Sequence, residues 1–175
     1  MYIMIKEVLM RTPLWVWILL YFLIRRGIAI SQERQVNLSK MFLVPMIFMI
    51  WGFDKIITKF SYLGYCLISY TFFILPGILI GYLLYKKYQI FFKKETAMFR
   101  KKCYLPLIII LVNFFVKYLL NISLGISSSF YDNISFNIMY SAISGLSVGL
   151  FFGGILYTFY MQSKLNNPSF KLQKI

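Results

Sequence analysis

Histidine is absent from this 175-residue sequence, and acidic residues and cysteines are scarce, with five Asp or Glu and two Cys. Histidine is the commonest haem and transition-metal ligand and the commonest general base near neutral pH. The few carboxylates form no close sequence pair of the kind that acid/base hydrolysis uses, and no base is evident that would activate a serine nucleophile. We therefore predict a non-enzymatic protein with no metal site and no cofactor. The carboxylates are Glu7, Glu33, Asp54, Glu95 and Asp132.

Apolar residues, by contrast, dominate the sequence. Hydrophobic residues make up 60% of the chain and aromatic residues 20%, and the mean hydropathy is +0.72. Such a chain has too little polar surface to cover a globule in water. A transmembrane helix needs about 20 apolar residues, so the length allows about five spans. We predict an all-α polytopic membrane helix bundle that forms a single integral membrane domain over residues 1–175.

The spans are delimited by charge clusters rather than by Pro/Gly linkers. Each apolar run is long and continuous, which favours helices over the short alternating segments of a membrane β-barrel. The N-terminal "MYIMIKEVLMR" is a poor signal peptide because Lys6 and Glu7 interrupt its apolar core. An alternative for Met1 to Arg11 is a short amphipathic helix lying on the membrane surface. The predicted spans cover residues 13–30, 41–58, 62–85, 104–124 and 137–160.

The basic residues are distributed unevenly between the segments that connect these spans. Fourteen of the 19 lie in the first and third connections and the C-terminal tail, whereas Lys6, Arg11, Lys55 and Lys59 fall on the opposite side. The positive-inside rule then places the N-terminus outside and the C-terminus in the cytoplasm, which agrees with an odd number of spans.

The basic connections between spans predict contact with an anionic lipid surface rather than with nucleic acid. Aromatic residues interleaved with these basic residues would dip into the membrane interface. The predicted lipid-headgroup residues are Arg25, Arg26, Lys86, Lys87, Lys93, Lys94, Arg100, Lys101 and Lys102.

The two cysteines are predicted to lie apart. Cys66 is near the outer end of the third span and Cys103 near the inner end of the fourth. In this topology most of a bilayer would separate the two residues. A disulfide needs α-carbons within about 7 Å. We expect neither a disulfide nor a thiol relay.

Lys117 is a basic residue well inside a predicted span, away from either end. Asn113, Lys117 and Asn121 recur at four-residue spacing and form one polar stripe, which suggests a face turned toward protein or trapped water. Counting residues places Asp54 of the second span at the same depth as Lys117. Three interpretations follow: Lys117 snorkels toward the outer interface, Lys117 and Asp54 form a buried ion pair, or these residues line an open polar pathway.

Small residues also recur at four-residue spacing in the fifth span, at Ser141, Gly145, Gly149 and Gly153. Gly77 and Gly81 form a shorter version in the third span. Such stripes let helix backbones approach closely, so we predict that they hold the five helices together, with a dimer or partner interface as the alternative.

The opening "TPLWVWILLYFLI", followed by a basic turn and "KMFLVPMIFMIWG", resembles a family of small, uncharacterised multi-span bacterial inner-membrane proteins. The likeness covers the first two spans. It implies a bacterial inner (cytoplasmic) membrane location but carries no activity or catalytic residues.

Two functions follow as hypotheses. In the first, the protein is a helper or binding subunit that recognises another membrane protein, and its partners are anionic lipids on the cytoplasmic side together with that protein or a second copy of the chain. In the second, Asp54, Asn113, Lys117 and Asn121 line a cavity that binds or passes a small anionic solute or a proton.

Overall fold

A computed structural model describes residues 13–94 and 97–166 of the chain. The alternative helix over Met1 to Arg11, the carboxylate of Glu95 and the tail lysines Lys171 and Lys174 lie outside these ranges. Within them the chain is mostly helical.

Five helices in the described ranges are long and apolar enough to cross a membrane, as the sequence predicted. The second is counted together with the single helical turn Leu38–Met41 that precedes it. The fifth helix is longer than the predicted 137–160 span at both ends. The helices are α1 Leu14–Ser31, α2 Leu43–Thr58, α3 Leu63–Tyr88, α4 Leu105–Ile126 and α5 Ile134–Asn166.

Helix α5 forms the centre of the bundle. It packs along α3 and also contacts α2, while α1 packs against α4. Phe48 of α2 stacks on Phe151 of α5, with 5.3 Å between ring centroids. Residues buried all round a helix indicate an interior position, and α5 has the largest buried share of the five helices.

A small antiparallel sheet joins the connections at one end of the bundle, and the sequence analysis did not predict it. Strand β1 (Arg34–Gln35) follows α1, and β2 (Phe91–Lys94) and β3 (Ala97–Arg100) lie between α3 and α4. The strand order is β1-β3-β2. The sheet is tied to the helices where the Phe91 ring contacts Tyr157 of α5, 5.9 Å between centroids. We call this the strand-bearing end.

The opposite end is closed by shorter connections. A 3₁₀ turn, Ser128–Tyr131, links α4 to α5. The Ser61 amide donates to the Tyr131 carbonyl at 3.3 Å, and the Ser61 hydroxyl donates to the carboxylate of Asp132. These bonds join the α2–α3 connection to the α4–α5 connection.

Candidate functional site

The glycine stripe of α5 lies against α3. A β-carbon built on Gly149 would collide with the Ile74 carbonyl oxygen and lie 2.8 Å from the Gly77 α-carbon. Gly145 and Gly153 meet the Tyr70 and Ile78 carbonyls in the same way, so the repeat along α5 matches successive turns of α3. The four-residue spacing therefore serves backbone contact between two helices of the same chain.

Gly77 and Gly81 complete this seam from the α3 side. A β-carbon on Gly77 would lie 2.6 Å from the Leu146 carbonyl oxygen, and one on Gly81 would collide with Leu150. Ser141, the first small residue of the stripe, is fully buried and donates to the Asn137 carbonyl at 2.8 Å. Both stripes are thus used within the bundle, and we call this contact the α3–α5 seam.

Lys117 is fully buried, at 0% exposure, where α4 faces α5 and α2. Its ammonium donates to the Ser144 hydroxyl, which donates in turn to the Tyr140 carbonyl at 2.6 Å. The ammonium also lies 4.7 Å from the centroid of the Tyr140 ring, within cation–π range. These contacts link α4 to α5 through a charged hydrogen bond in the interior.

The space around this ammonium is closed. A β-carbon on Gly52 of α2 would lie 3.1 Å from Lys117 Nζ and 3.4 Å from the Ser144 β-carbon. Glycine at position 52 thus lets α2 approach the lysine directly. Lys117 is held by three helices and does not snorkel to an interface.

The predicted ion pair between Lys117 and Asp54 is not formed, which corrects that interpretation. The Asp54 carboxylate is 55% exposed and lies 3.7 Å from Lys55 Nζ, and this is the one ion pair within 4 Å in the ranges the structure covers. Residue counting places the two groups at equal depth along their helices. It does not show from which side of its helix each side chain projects. The buried side of α2 carries Trp51, Gly52 and Ile56, and Asp54 lies off that side.

The two asparagines of the polar stripe bond within their own helix. Asn113 is buried and donates to the Ile109 carbonyl, and Asn121 is half-buried and donates to the Lys117 carbonyl, both at 2.8 Å. Their amides therefore add to α4 itself, and neither donates to Asp54. Of the predicted intramembrane set, Asn113, Lys117 and Asn121 share one face of α4, and Asp54 lies near them through Tyr140.

Most of the predicted lipid-headgroup residues are exposed around the strand-bearing end. Arg25 donates to the Tyr21 hydroxyl at 3.2 Å, and Arg26 is half-buried and donates to the Lys40 carbonyl at 2.7 Å. The exposed lysines are Lys86, Lys87, Lys93, Lys94, Lys101 and Lys102.

Arg100 is the exception among the predicted lipid-headgroup residues, because it is buried. Its side chain is only 6% exposed, because β3 is the central strand of the sheet and lies over the helix ends. Burial, with a smaller contribution from the positive charge of Arg34, lowers the pKa of Arg100 to about 10. A buried guanidinium of this kind points to a defined site rather than a diffuse basic surface.

Two adjoining grooves meet at Arg100. The first is shallow, with a cavity volume of about 10 Å³, and its basic lining residues are Arg26, Arg34, Lys40 and Arg100. The second has a cavity volume of about 30 Å³, shares Arg100 but is otherwise apolar apart from Tyr85, and reaches Pro106 and Phe151 among the helices. Arg26 and Arg100 were predicted lipid-headgroup residues, whereas Arg34 and Lys40 were not, because their convergence depends on the unpredicted pairing of β1 with β3.

The cysteines lie apart from these features: Cys66 is buried, Cys103 is half-buried, and both thiols are free. No group of three or more Cys, Asp or Glu residues suited to a metal ion occurs in the part of the chain that the structure describes. No protein-family model, curated protein or solved structure matches the chain. The functional assignment therefore depends on the geometry.

Proposed function

We propose that the chain is a non-catalytic, multi-pass protein of the bacterial inner membrane that acts as a helper or binding subunit for another membrane protein. The support for membrane insertion is the set of five long apolar helices. The family resemblance of the first two spans supports the bacterial inner membrane.

The segregation of basic residues supports an orientation with the N-terminus outside. Strand pairing between Arg34 and Arg100 joins the first and third connections at one end, and these connections carry the basic residues. The other end has Lys55 in the last turn of α2 and Lys59 directly after that helix. Anionic lipids on the cytoplasmic side would attract the basic end at about 1 kcal/mol per residue near the surface.

Reporter fusions test this orientation. A reporter after Ile175 is expected to be active only in the cytoplasm, and one inserted within residues 125–136 only in the periplasm. The reverse pattern at either position contradicts the proposed topology.

The observation that carries the helper role over a solute pathway is the closure of the Lys117 site. Ser144, the Tyr140 ring and the backbone at Gly52 surround the ammonium and leave no room for a solute beside it. The α3–α5 seam is likewise filled by the chain itself. Recognition of a partner protein would then use the outer helix faces or the strand-bearing end.

Purification in mild detergent tests the helper role. We expect a partner membrane protein to remain bound in a fixed ratio through size-exclusion chromatography. If the protein elutes alone from its native membrane under several mild detergents, and reconstituted vesicles bind no candidate partner, the helper role is contradicted.

The buried charge of Lys117 favours proton binding as a second candidate, because an ionisable side chain inside a membrane often marks a proton or ion path. Vesicles containing the protein and a pH-sensitive dye would distinguish it. The helper role predicts equal, low proton flux for wild type and Lys117→Met. A faster flux in wild type would favour the proton path.

A further inference from the structure

Four basic side chains converge at the strand-bearing end, where the described residues provide no matching set of carboxylates. Arg34 and Arg100 are directly opposite one another in the antiparallel pairing of β1 with β3. Like charges at directly opposed strand positions are destabilising. Arg26 and Lys40 line the same groove, so the cluster holds positive charges close together rather than separating them.

The carboxylates in the described ranges do not neutralise this cluster. Asp54 pairs with Lys55, and Asp132 accepts from Ser61 at the opposite end of the bundle. Glu33 is exposed and forms no ion pair within 4 Å in the described chain. An anion bound between the basic groups would therefore remove repulsion that the carboxylates of the described residues leave uncompensated.

Unused hydrogen-bond donors point to the same conclusion. The Nε atoms of Arg26 and Arg100 are buried and have no hydrogen-bond partner in the described structure. A buried donor without an acceptor costs free energy, and more so on a charged group. Guanidinium groups match the tetrahedral oxygens of phosphate with paired donors, which lysines do not provide.

We propose that this groove, lined by Arg26, Arg34, Lys40 and Arg100, is a binding site for a phosphate group, either free in the cytoplasm or carried by a lipid. The phosphate oxygens accept hydrogen bonds from the guanidinium groups, and its charge offsets the repulsion between Arg34 and Arg100. This is a defined site and is separate from the general attraction of exposed lysines to a membrane.

The second groove indicates how the two sources would differ. It begins at the same Arg100 and continues along apolar side chains including Val44 and Ile110. A free phosphate would use only the basic groove, whereas a lipid with its phosphate at Arg100 would also contact apolar side chains at the mouth of the second groove. The lipid is therefore expected to bind more tightly.

Thermal unfolding of the full-length protein in a neutral detergent tests the site. Inorganic phosphate is titrated against chloride at equal ionic strength in one arm, and short-chain phosphatidylglycerol against short-chain phosphatidylcholine in the other. We expect phosphate or phosphatidylglycerol to raise the melting temperature in a saturable way, since a ligand that binds only the folded state stabilises it. Stabilisation by phosphate alone assigns a free anion, and stabilisation by the anionic lipid assigns a headgroup. No stabilisation in either arm overturns the proposal.

Two variants and a matched control separate the site from net charge. Arg34→Gln and Arg100→Gln are each expected to weaken binding about tenfold, the loss of roughly one charge-assisted hydrogen-bonded pair. In the inorganic-phosphate arm, Lys101→Gln removes the same charge from the residue next to Arg100 but outside the groove, and is expected to change phosphate affinity less than about twofold. If Arg100→Gln does not fold, Arg34→Gln alone tests the site, because Arg34 is half-exposed on an edge strand. Equal weakening in Lys101→Gln and Arg34→Gln would show attraction to general charge and overturn the site.

Discussion

The α3–α5 seam and the strand-bearing end both bring two segments of the chain close together, but they differ in what lies at the contact. In the α3–α5 seam, glycines bring two neutral backbones together and leave no space between them. At the strand-bearing end, β1 and β3 bring two positive side chains opposite each other and leave grooves beside them. In the basic cluster, the Nε atoms of Arg26 and Arg100 are buried donors without a hydrogen-bond partner in the described structure. The closed backbone contact of the seam supports the fold, whereas unpartnered guanidinium donors beside a groove make the cluster the better candidate for binding.

The largest expected effect comes from filling the seam. Gly149→Leu would place a branched side chain where the Ile74 carbonyl and Gly77 lie, and Gly77→Ala would drive a methyl group into the Leu146 backbone. Because overpacking costs about 1 to 3 kcal/mol and occasionally more, Gly77→Ala should lower stability within that range and Gly149→Leu beyond it. Thermal unfolding in detergent measures both.

Gly64→Ala is the matched control, because Gly64 also lies in α3 but a β-carbon there meets nothing within 4 Å. It should be neutral or slightly stabilising, since alanine favours helix more than glycine does. If Gly149→Leu melts like wild type while retaining its oligomeric state, the seam is not a close contact and α5 faces lipid there.

A smaller effect is expected at the Lys117 hydrogen bond. Ser144→Ala removes the acceptor of the buried ammonium, and losing a hydrogen bond to a charged group costs about 1.5 to 3 kcal/mol. Ser141→Ala is the control in the same helix, because Ser141 is equally buried but bonds its own backbone. Ser141→Ala is expected to cost less.

A double-mutant cycle between Lys117→Met and Ser144→Ala sharpens this test. The two changes should be coupled, because each removes the same bond, whereas Lys117→Met and Asp54→Asn should add within about 0.5 kcal/mol. Strong coupling between Lys117→Met and Asp54→Asn would instead favour a Lys117–Asp54 ion pair and contradict the structure.

The sequence was sufficient for the parts of this fold that depend on composition and periodicity. Five long helices were predicted from the apolar runs. The four-residue spacing of Gly145, Gly149 and Gly153 predicted a helix-packing face. The partner of Lys117 did not follow, because depth along a helix is a matter of counting but direction around it depends on neighbouring helices. Ser144 and Gly52 are small residues with no signal of their own. The burial of Arg100 did not follow either, because it depends on the pairing of β1 with β3 across more than sixty residues of chain.

The smallest expected effect is on the intrinsic stability of the basic cluster, and its sign is the informative part. In the absence of phosphate and anionic lipid, Arg34→Gln should stabilise the protein by about 0.2 to 1 kcal/mol, because it removes a like charge opposite Arg100. Thermal unfolding in neutral detergent at low ionic strength measures this, and added sodium chloride should reduce the difference as the charges are screened. Lys101→Gln, one residue beyond the pair, should show a smaller gain.

A loss of stability in Arg34→Gln at low salt would mean that the bond from Arg34 to the Ala29 carbonyl, at 3.2 Å, outweighs the repulsion. The cluster would then be a structural feature like the seam, and the contrast between the two regions would not hold.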